Sequence, residues 1–384
     1  MYLLNKVLIV GAGRLGKGFL GEVFDKAGWD ITFLDKDKKV IDTLKNEKYF
    51  TVKVHQTDKT ITRKVDNYTA ITTEEEDSVV NSFLTSDAIM LPLYPKDFKK
   101  AAEYLSFCFN KQYEVNSSKK LTLICLTNKN HIINQIKEDF KRYLKDKNVQ
   151  EWFDENVALR DCIVKRSTDA ETNYSTNLRT TAVASSLVQS PLYCDISDIE
   201  WLELKDNIKT LKDVKVFIIN GPHATSAYYG YLKNYTTIEE ANNDPDIKKL
   251  VNRVHETITK VMLKEYPITK EELEQLESFP PAKDEMPDAI TRVAYDPIRK
   301  LSKNDRLTGA ALLCKKHNID FDPIAKAIAC GLAYDNSNDE NAVKIQKNIQ
   351  NQGVKKSIKK FLEISESDDL TKCIISYYNK IIER

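Results

Sequence analysis

The chain has 384 residues, a formal net charge of +1 and seven cysteines. Such a length exceeds one typical core and predicts two domains, while the balanced charge gives no reason to expect nucleic acid or an anionic membrane as a partner. The odd number of cysteines, spread from Cys108 to Cys373 without paired or zinc-binding spacing, predicts reduced thiols in a cytoplasmic protein, and no apolar run is long enough for a membrane span.

The β-branched run Lys6–Val10 predicts a first strand rather than a removable signal. It leads directly into Gly11-Ala12-Gly13-Arg14-Leu15-Gly16 and then into a helical pattern, so the segment reads as strand, tight turn and helix. Glycines at this spacing let the backbone approach a pyrophosphate where the helix leaves its first amide hydrogens unpaired. A second strand, Ile31–Leu34, ends at Asp35, nineteen residues beyond Gly16. A carboxylate there accepts hydrogen bonds from an adenosine ribose and repels a 2′-phosphate, which points to NAD over NADP, although Lys36 and Lys38 can swing toward such a phosphate.

Further strands are predicted at Phe50–Val54, Asp87–Leu93, Leu121–Leu126, Val157–Val164 and Leu178–Val188. The weakly alternating stretch Thr60–Ile71 adds peripheral strands near the adenine side, and the acidic run Thr72–Asp77 opens a helix. The fold class is therefore α/β, with an N-terminal Rossmann-type doubly wound sheet over residues 1–195 and a mostly α-helical C-terminal domain over 196–384. Helices are expected over Leu211–Lys233, Pro245–Glu265, Asp322–Leu332 and Asp369–Ile382. Phe279-Pro280-Pro281 and Pro287 mark a loop, and Gly353 marks a helix stop.

The chemistry concentrates in Lys215-Val-Phe-Ile-Ile-Asn220-Gly-Pro-His223. On one continuous helix Asn220 lies roughly 140° and His223 roughly 80° from Lys215, so one broad face presents all three, and Pro222 is expected to kink that helix. A lysine in an apolar setting can accept a carbinol proton once desolvation lowers its pKa. Asn220, together with Asn128 at the carboxyl end of the strand Leu121–Leu126, can donate to a developing alkoxide, and His223 can hold a substrate hydroxyl. Read singly, each has a structural explanation: a snorkelling lysine, a helix-capping asparagine and a packed histidine. Their conjunction behind a dinucleotide turn points instead to metal-free hydride transfer in a cleft between the domains. Tyr-x-x-x-Lys occurs at Tyr229 and at Tyr266, but neither copy follows a Rossmann strand.

Three motifs resemble the polyol-specific long-chain dehydrogenases, and within them the mannitol-1-phosphate 5-dehydrogenase branch, over nearly the whole chain. They are Gly11 to Gly16 with Gly18-Phe19 and Thr32–Asp35, then Lys215 to His223-Ala224, then Arg292-Val293 with Pro297-Ile298-Arg299-Lys300-Leu301 and Asp305-Arg306-Leu307. The resemblance implies NAD-dependent, metal-independent interconversion of mannitol 1-phosphate, or a related hexitol phosphate, and fructose 6-phosphate by a monomer. Lys215 would be the general base, with Asn128 and Asn220 polarising oxygen. The family pattern is altered at Leu91–Tyr94, Leu126–Asn128, Val164-Lys165-Arg166 and Ala294-Tyr295. Since Ala294-Tyr295 replaces a Gly-Arg pair, phosphate binding would fall to Arg299, Lys300 or Lys165. An unphosphorylated polyol or a sugar acid remains an alternative substrate, and a non-catalytic NAD-binding redox sensor an alternative role.

Overall fold

Alternate side chains of the first strand enter opposite cores: Val7 and Ile9 on one face, Leu8 and Val10 on the other. Such two-sided burial is what helices on both faces of a parallel sheet produce. The computed structural model describes residues 4–127, 129–165, 168–181, 186–278 and 287–383. The described residues up to Lys209 make one unit and those from Thr210 onward a second.

The strands of the first unit are β1 (Lys6–Val10), β2 (Asp30–Asp35), β3 (Phe50–His55), β4 (Thr60–Val65), β5 (Tyr68–Thr72), β6 (Ala88–Leu91), β7 (Leu121–Cys125), β8 (Val157–Val164), β9 (Thr168–Asp169), β10 (Asn177–Thr181), β11 (Ser186–Gln189) and β12 (Leu202–Lys205). Eight of them form one sheet in the order β12-β11-β8-β7-β6-β1-β2-β5. From β5 to β8 all neighbours are parallel, and β11, antiparallel to β8, and β12, parallel to β11, run the opposite way. This is the doubly wound order, with its reversal between β1 and β6, where a crevice opens outside the carboxyl ends of the strands.

The third sequence-predicted strand is corrected by this topology. Phe50–His55 pairs with β4 and β10 in a separate four-stranded sheet, β4-β3-β10-β9, and β5 takes the place beside β2. Hydrophobic alternation marks a strand but carries no information about its partner. Likewise Leu178–Val188 is not one strand: β10 lies in the small sheet and β11 in the large one. The units part after Lys209 and not at 195/196, because β12 pairs with β11 and so belongs to the first sheet.

The helices of the first unit are α1 (Glu22–Lys26), α2 (Lys38–Glu47), α3 (Glu76–Thr85), α4 (Phe98–Asn116), α5 (Ile133–Tyr143) and α6 (Lys147–Asn156). A π-helical turn, Gly16–Gly21, precedes α1. Glu76 and Asp77 do occupy the first turn of α3.

From α7 (Ile208–Ile218) onward the chain is helical: α8 (Asn220–Leu232), α9 (Ile238–Asn243), α10 (Pro245–Glu265), α11 (Lys270–Glu277), α12 (Ile290–Ala294), α13 (Pro297–Lys300), α14 (Thr308–Lys316), α15 (Asp322–Leu332), α16 (Glu340–Leu362) and α17 (Asp369–Ile382). The second unit is built around α15, which packs against α8, α10 and α17 and is apolar at nearly every position. Gly353, at φ +80°, breaks α16 into two arms, as its position in the sequence suggests. Cys108, Cys125, Cys162, Cys314 and Cys330 are buried as small apolar groups, and all seven thiols are free of disulfides. Among the described residues no helix is long and apolar enough to cross a membrane.

Candidate active site

In the first unit the glycine turn is built by close approach. Gly11 adopts φ +121°, and its N–H donates to the carbonyl of Leu34 at 2.8 Å, tying the turn to the end of β2. A Cβ on Gly16 would overlap the Gly11 carbonyl, whereas one on Gly13 would meet nothing within 4 Å. The backbone at Gly13 is thus bare on the side where a pyrophosphate would lie, which fits the dinucleotide expected from the sequence. Asp35 ends β2 with its Oδ2 accepting the Ala12 N–H at 2.8 Å and its Oδ1 accepting the Asp37 N–H at 2.9 Å. Each carboxylate oxygen keeps further acceptor capacity for ribose hydroxyls. Lys36 is committed to Asp97 at 3.0 Å and Lys38 to Asp42 at 3.6 Å, so both cations have local partners other than a 2′-phosphate. The altered Leu91–Tyr94 segment borders the same turn: Pro92 and Leu93 stand 3.3 Å from where a Gly11 Cβ would be.

Arg14, Leu15 and Lys17 follow in the same turn. The Arg14 guanidinium reaches Asp169 at 3.6 Å and the Glu171 carbonyl at 3.5 Å, and Leu15 packs on the core. Lys17, only 1% exposed, donates to the carbonyls of Asn173 at 2.7 Å and Ser175 at 3.0 Å. Burial pulls its ammonium down to about 8 against the opposing pull of Asp35. Nothing in the sequence distinguishes Lys17 from an exposed helix lysine.

In the second unit the expected continuous helix through Lys215, Asn220 and His223 is corrected to two. Lys215 sits in the last turn of α7, Ile219 separates the helices, and Asn220 and His223 lie in the first turn of α8. The break precedes Pro222 by three residues. Placed in the first turn of α8, Pro222 lacks an N–H where no intrahelical partner is needed, while the His223 N–H still reaches the Ile219 carbonyl at 3.3 Å. The angular relation of a single helix therefore does not apply, but the break holds all three residues within one turn of the junction.

Two glycines seat that junction. A Cβ on Gly221 would come within 2.7 Å of Ile258 and 3.3 Å of the Arg306 carbonyl, and one on Gly309 within 2.9 Å of Phe217. The third sequence motif is thereby packed directly under the second.

His223 Nε2 lies 3.4 Å from Asp288 Oδ2. Asp288 also accepts from Arg292 Nε at 2.8 Å. Its backbone is fixed by a β-bridge between Thr237 and Ala289 and by the Ile238 N–H, which donates to the Asp288 carbonyl at 2.9 Å. The His223 and Arg292 side chains hold the Asp288 carboxyl below its ordinary value, against desolvation. A recess of about 430 Å³ opens beside it, lined by Thr291, Arg292, Tyr295, Asn336, Asn338 and Asp339. Neither Asp288 nor the recess was legible in the sequence: Asp288 follows Pro287 in a proline-marked loop and carries no periodicity.

The expected phosphate ligands are placed differently. Arg299 is exposed and paired with Asp296 at 3.1 Å and Asp305 at 3.7 Å. Lys300 is buried, donating to the Val293 carbonyl at 2.5 Å, and burial with the nearby Arg306 and Arg299 charges pulls it down to about 8. Lys165 belongs to the first unit, where burial lowers its ammonium against the attraction of Glu203. Asn128 and Arg166 lie outside the described residues.

A parallel sheet with a glycine-lined dinucleotide turn, followed by a helical unit carrying a lysine, asparagine and histidine junction, defines a two-domain dehydrogenase. Residues 5–184 match the model of the mannitol dehydrogenase Rossmann domain and residues 207–382 that of the mannitol dehydrogenase C-terminal domain. The chain belongs to the mannitol dehydrogenase family and is an NAD-dependent polyol dehydrogenase. It is similar to a mannitol-1-phosphate 5-dehydrogenase of Caldanaerobacter subterraneus, 29% identical with 97% of each chain covered. One from Clostridium acetobutylicum is also 29% identical, with 98% of this chain and 99% of the relative covered. Its fold resembles the crystal structure of a D-sorbitol dehydrogenase, with a TM-score of 0.81 and 12% identity over 99% of this chain and 94% of that one. It also resembles Pseudomonas fluorescens mannitol 2-dehydrogenase, with a TM-score of 0.70 and 14% identity over 100% of this chain and 92% of that one.

Proposed function

We propose that this chain interconverts mannitol 1-phosphate, or a related hexitol phosphate, and fructose 6-phosphate without a metal ion, with Lys215 as general base. The observation that carries the reading is the α7–α8 junction, where Lys215, Asn220 and His223 share one helix break backed by Asp288. Hydride leaves the carbinol carbon as its C–H bond breaks, and NAD, when held at the Gly11–Gly16 turn, would supply the acceptor. The carbinol proton passes to the Lys215 amine, and the O–H electron pair becomes the second bond of the carbonyl. Asn220 donates a hydrogen bond to that oxygen while it carries developing charge. His223, oriented by Asp288, holds a neighbouring hydroxyl. The recess beside Asp288 offers Arg292, two asparagines and a threonine, a donor-rich lining suited to a hydroxylated or phosphorylated chain.

One observation favours a second reading, oxidation of an unphosphorylated polyol or sugar acid. Lys300 is spent on a buried carbonyl, Arg299 on two carboxylates and Arg292 on Asp288, so each of these cations already has a partner other than a phosphate. Initial rates of NADH formation on hexitols, hexitol 1-phosphates and aldonates separate these readings. A preference of about 100-fold or more in kcat/KM for the phosphate ester, near 2.7 kcal/mol, supports the first. Equal rates on the free polyol support the second, and no turnover on any of them leaves an NAD-binding redox sensor.

A further inference from the structure

The loop between β9 and β10 is bound to both sides of the dinucleotide turn. Arg14 holds the Glu171 carbonyl and the Asp169 carboxylate, and Lys17 holds the Asn173 and Ser175 carbonyls from a buried position. A Cβ on Gly18 would collide with Thr168 at 2.5 Å and meet Leu178 at 3.1 Å, so the π-helical turn lies directly on this hairpin. At the far side the Lys39 ammonium stands 3.7 Å over the Tyr174 ring. The Lys39 N–H is held by Asp37, whose own N–H is held by Asp35. The loop thus reaches from residue 14 of the glycine turn to residue 39, just beyond the ribose-binding acid.

It is also internally braced. The Thr172 N–H and hydroxyl both meet the Ser175 hydroxyl at 2.9 Å, and the Thr51 N–H donates to the Thr176 carbonyl at 2.7 Å. Tyr174 is therefore presented by a rigid support, with 38% of its surface exposed. A cation–π contact to a lysine four residues past Asp35 sets the ring beside the adenosine end of the site.

We propose that Tyr174 contacts the adenosine half of the bound dinucleotide and that Lys17 is the positioning residue holding its loop in place. The inference rests on the dinucleotide reading of the glycine turn and extends it to a hairpin that the Rossmann fingerprint does not include. Aromatic rings stack on nucleobases without needing a particular hydrogen-bond pattern, and a buried lysine bridging two carbonyls fixes a loop without touching ligand.

Calorimetric titration of the full chain with NAD, AMP and nicotinamide mononucleotide tests it. Tyr174→Ala is expected to weaken AMP and NAD by roughly tenfold while leaving nicotinamide mononucleotide unchanged. Lys17→Met is expected to show the same selective loss, with a raised KM for NAD and a kcat that does not fall at saturating NAD. Equal AMP affinity in wild type and Tyr174→Ala overturns the contact. A Lys17→Met chain that loses affinity for all three ligands alike, or loses kcat, overturns the positioning role. If the wild type binds neither NAD nor AMP, the dinucleotide reading itself fails and this inference with it.

Discussion

His223 and Asp288 meet at 3.4 Å across the start of α8, and the same carboxylate is shared with Arg292 on α12. This joins the junction carrying Lys215 to the recess lined by Arg292, so one acidic side chain sets the orientation of an imidazole and a guanidinium together. Asp288→Asn keeps the shape and removes the charge. It is expected to lower kcat/KM by about 10- to 100-fold, within the range for removing the partner that orients a hydrogen-bonding group in a site. Steady-state kinetics on the preferred polyol measure this.

The pH dependence of stability follows from the same carboxylate. Its folded pKa is depressed below the ordinary 3.8, first by His223 and then by Arg292. It therefore contributes stability that is present above that ordinary value and is lost as pH falls through the depressed one. Thermal midpoints of Asp288→Asn and wild type are expected to differ at pH 6 and to converge toward pH 3. A constant difference across that window contradicts the assignment.

Lys215→Ala removes the proposed base from the last turn of α7. Turnover is expected to fall by about 10³-fold, within the usual contribution of a general base, the alkoxide also losing a cationic neighbour. NAD affinity measured by fluorescence titration should remain that of wild type. Near-normal turnover would assign the proton to another group.

Asp35 accepts the Ala12 and Asp37 N–H groups, and it is the residue proposed to face the adenosine ribose. Asp35→Ala should weaken binding of either cofactor because the glycine turn loses a brace. The ratio of kcat/KM for NADP over NAD should nevertheless rise by about tenfold, since the repulsion of a 2′-phosphate disappears. An unchanged ratio separates the brace from cofactor choice.

Gly16→Ala places a methyl against the Gly11 carbonyl, a backbone atom that cannot swing away. The expected cost is about 2–3 kcal/mol, from overpacking that distorts the turn. Calorimetric scans should show a lowered midpoint that added NAD does not restore. Gly13→Ala, which meets nothing within 4 Å, should keep the midpoint and lose NAD affinity.

The sequence by itself determined whatever depends on near neighbours along the chain. The strand, glycine turn and acid of residues 6–35 follow from residue size, φ freedom and hydrophobic period, and the helical second half follows from its 3.6-residue pattern. Lys215, Asn220 and His223 were visible as a group because nine consecutive residues contain them. Only the tertiary structure decided the pairings between distant segments. It sent Phe50–His55 to the small sheet and Tyr68–Thr72 to the edge of the large one. It buried Lys17 and Lys300 on backbone carbonyls, broke the helix at Ile219, and brought Asp288 to His223. Periodicity tells which face of an element is apolar, whereas the partner of that face, and of a single polar group in a loop, is chosen by packing and by satisfying buried donors across the whole unit.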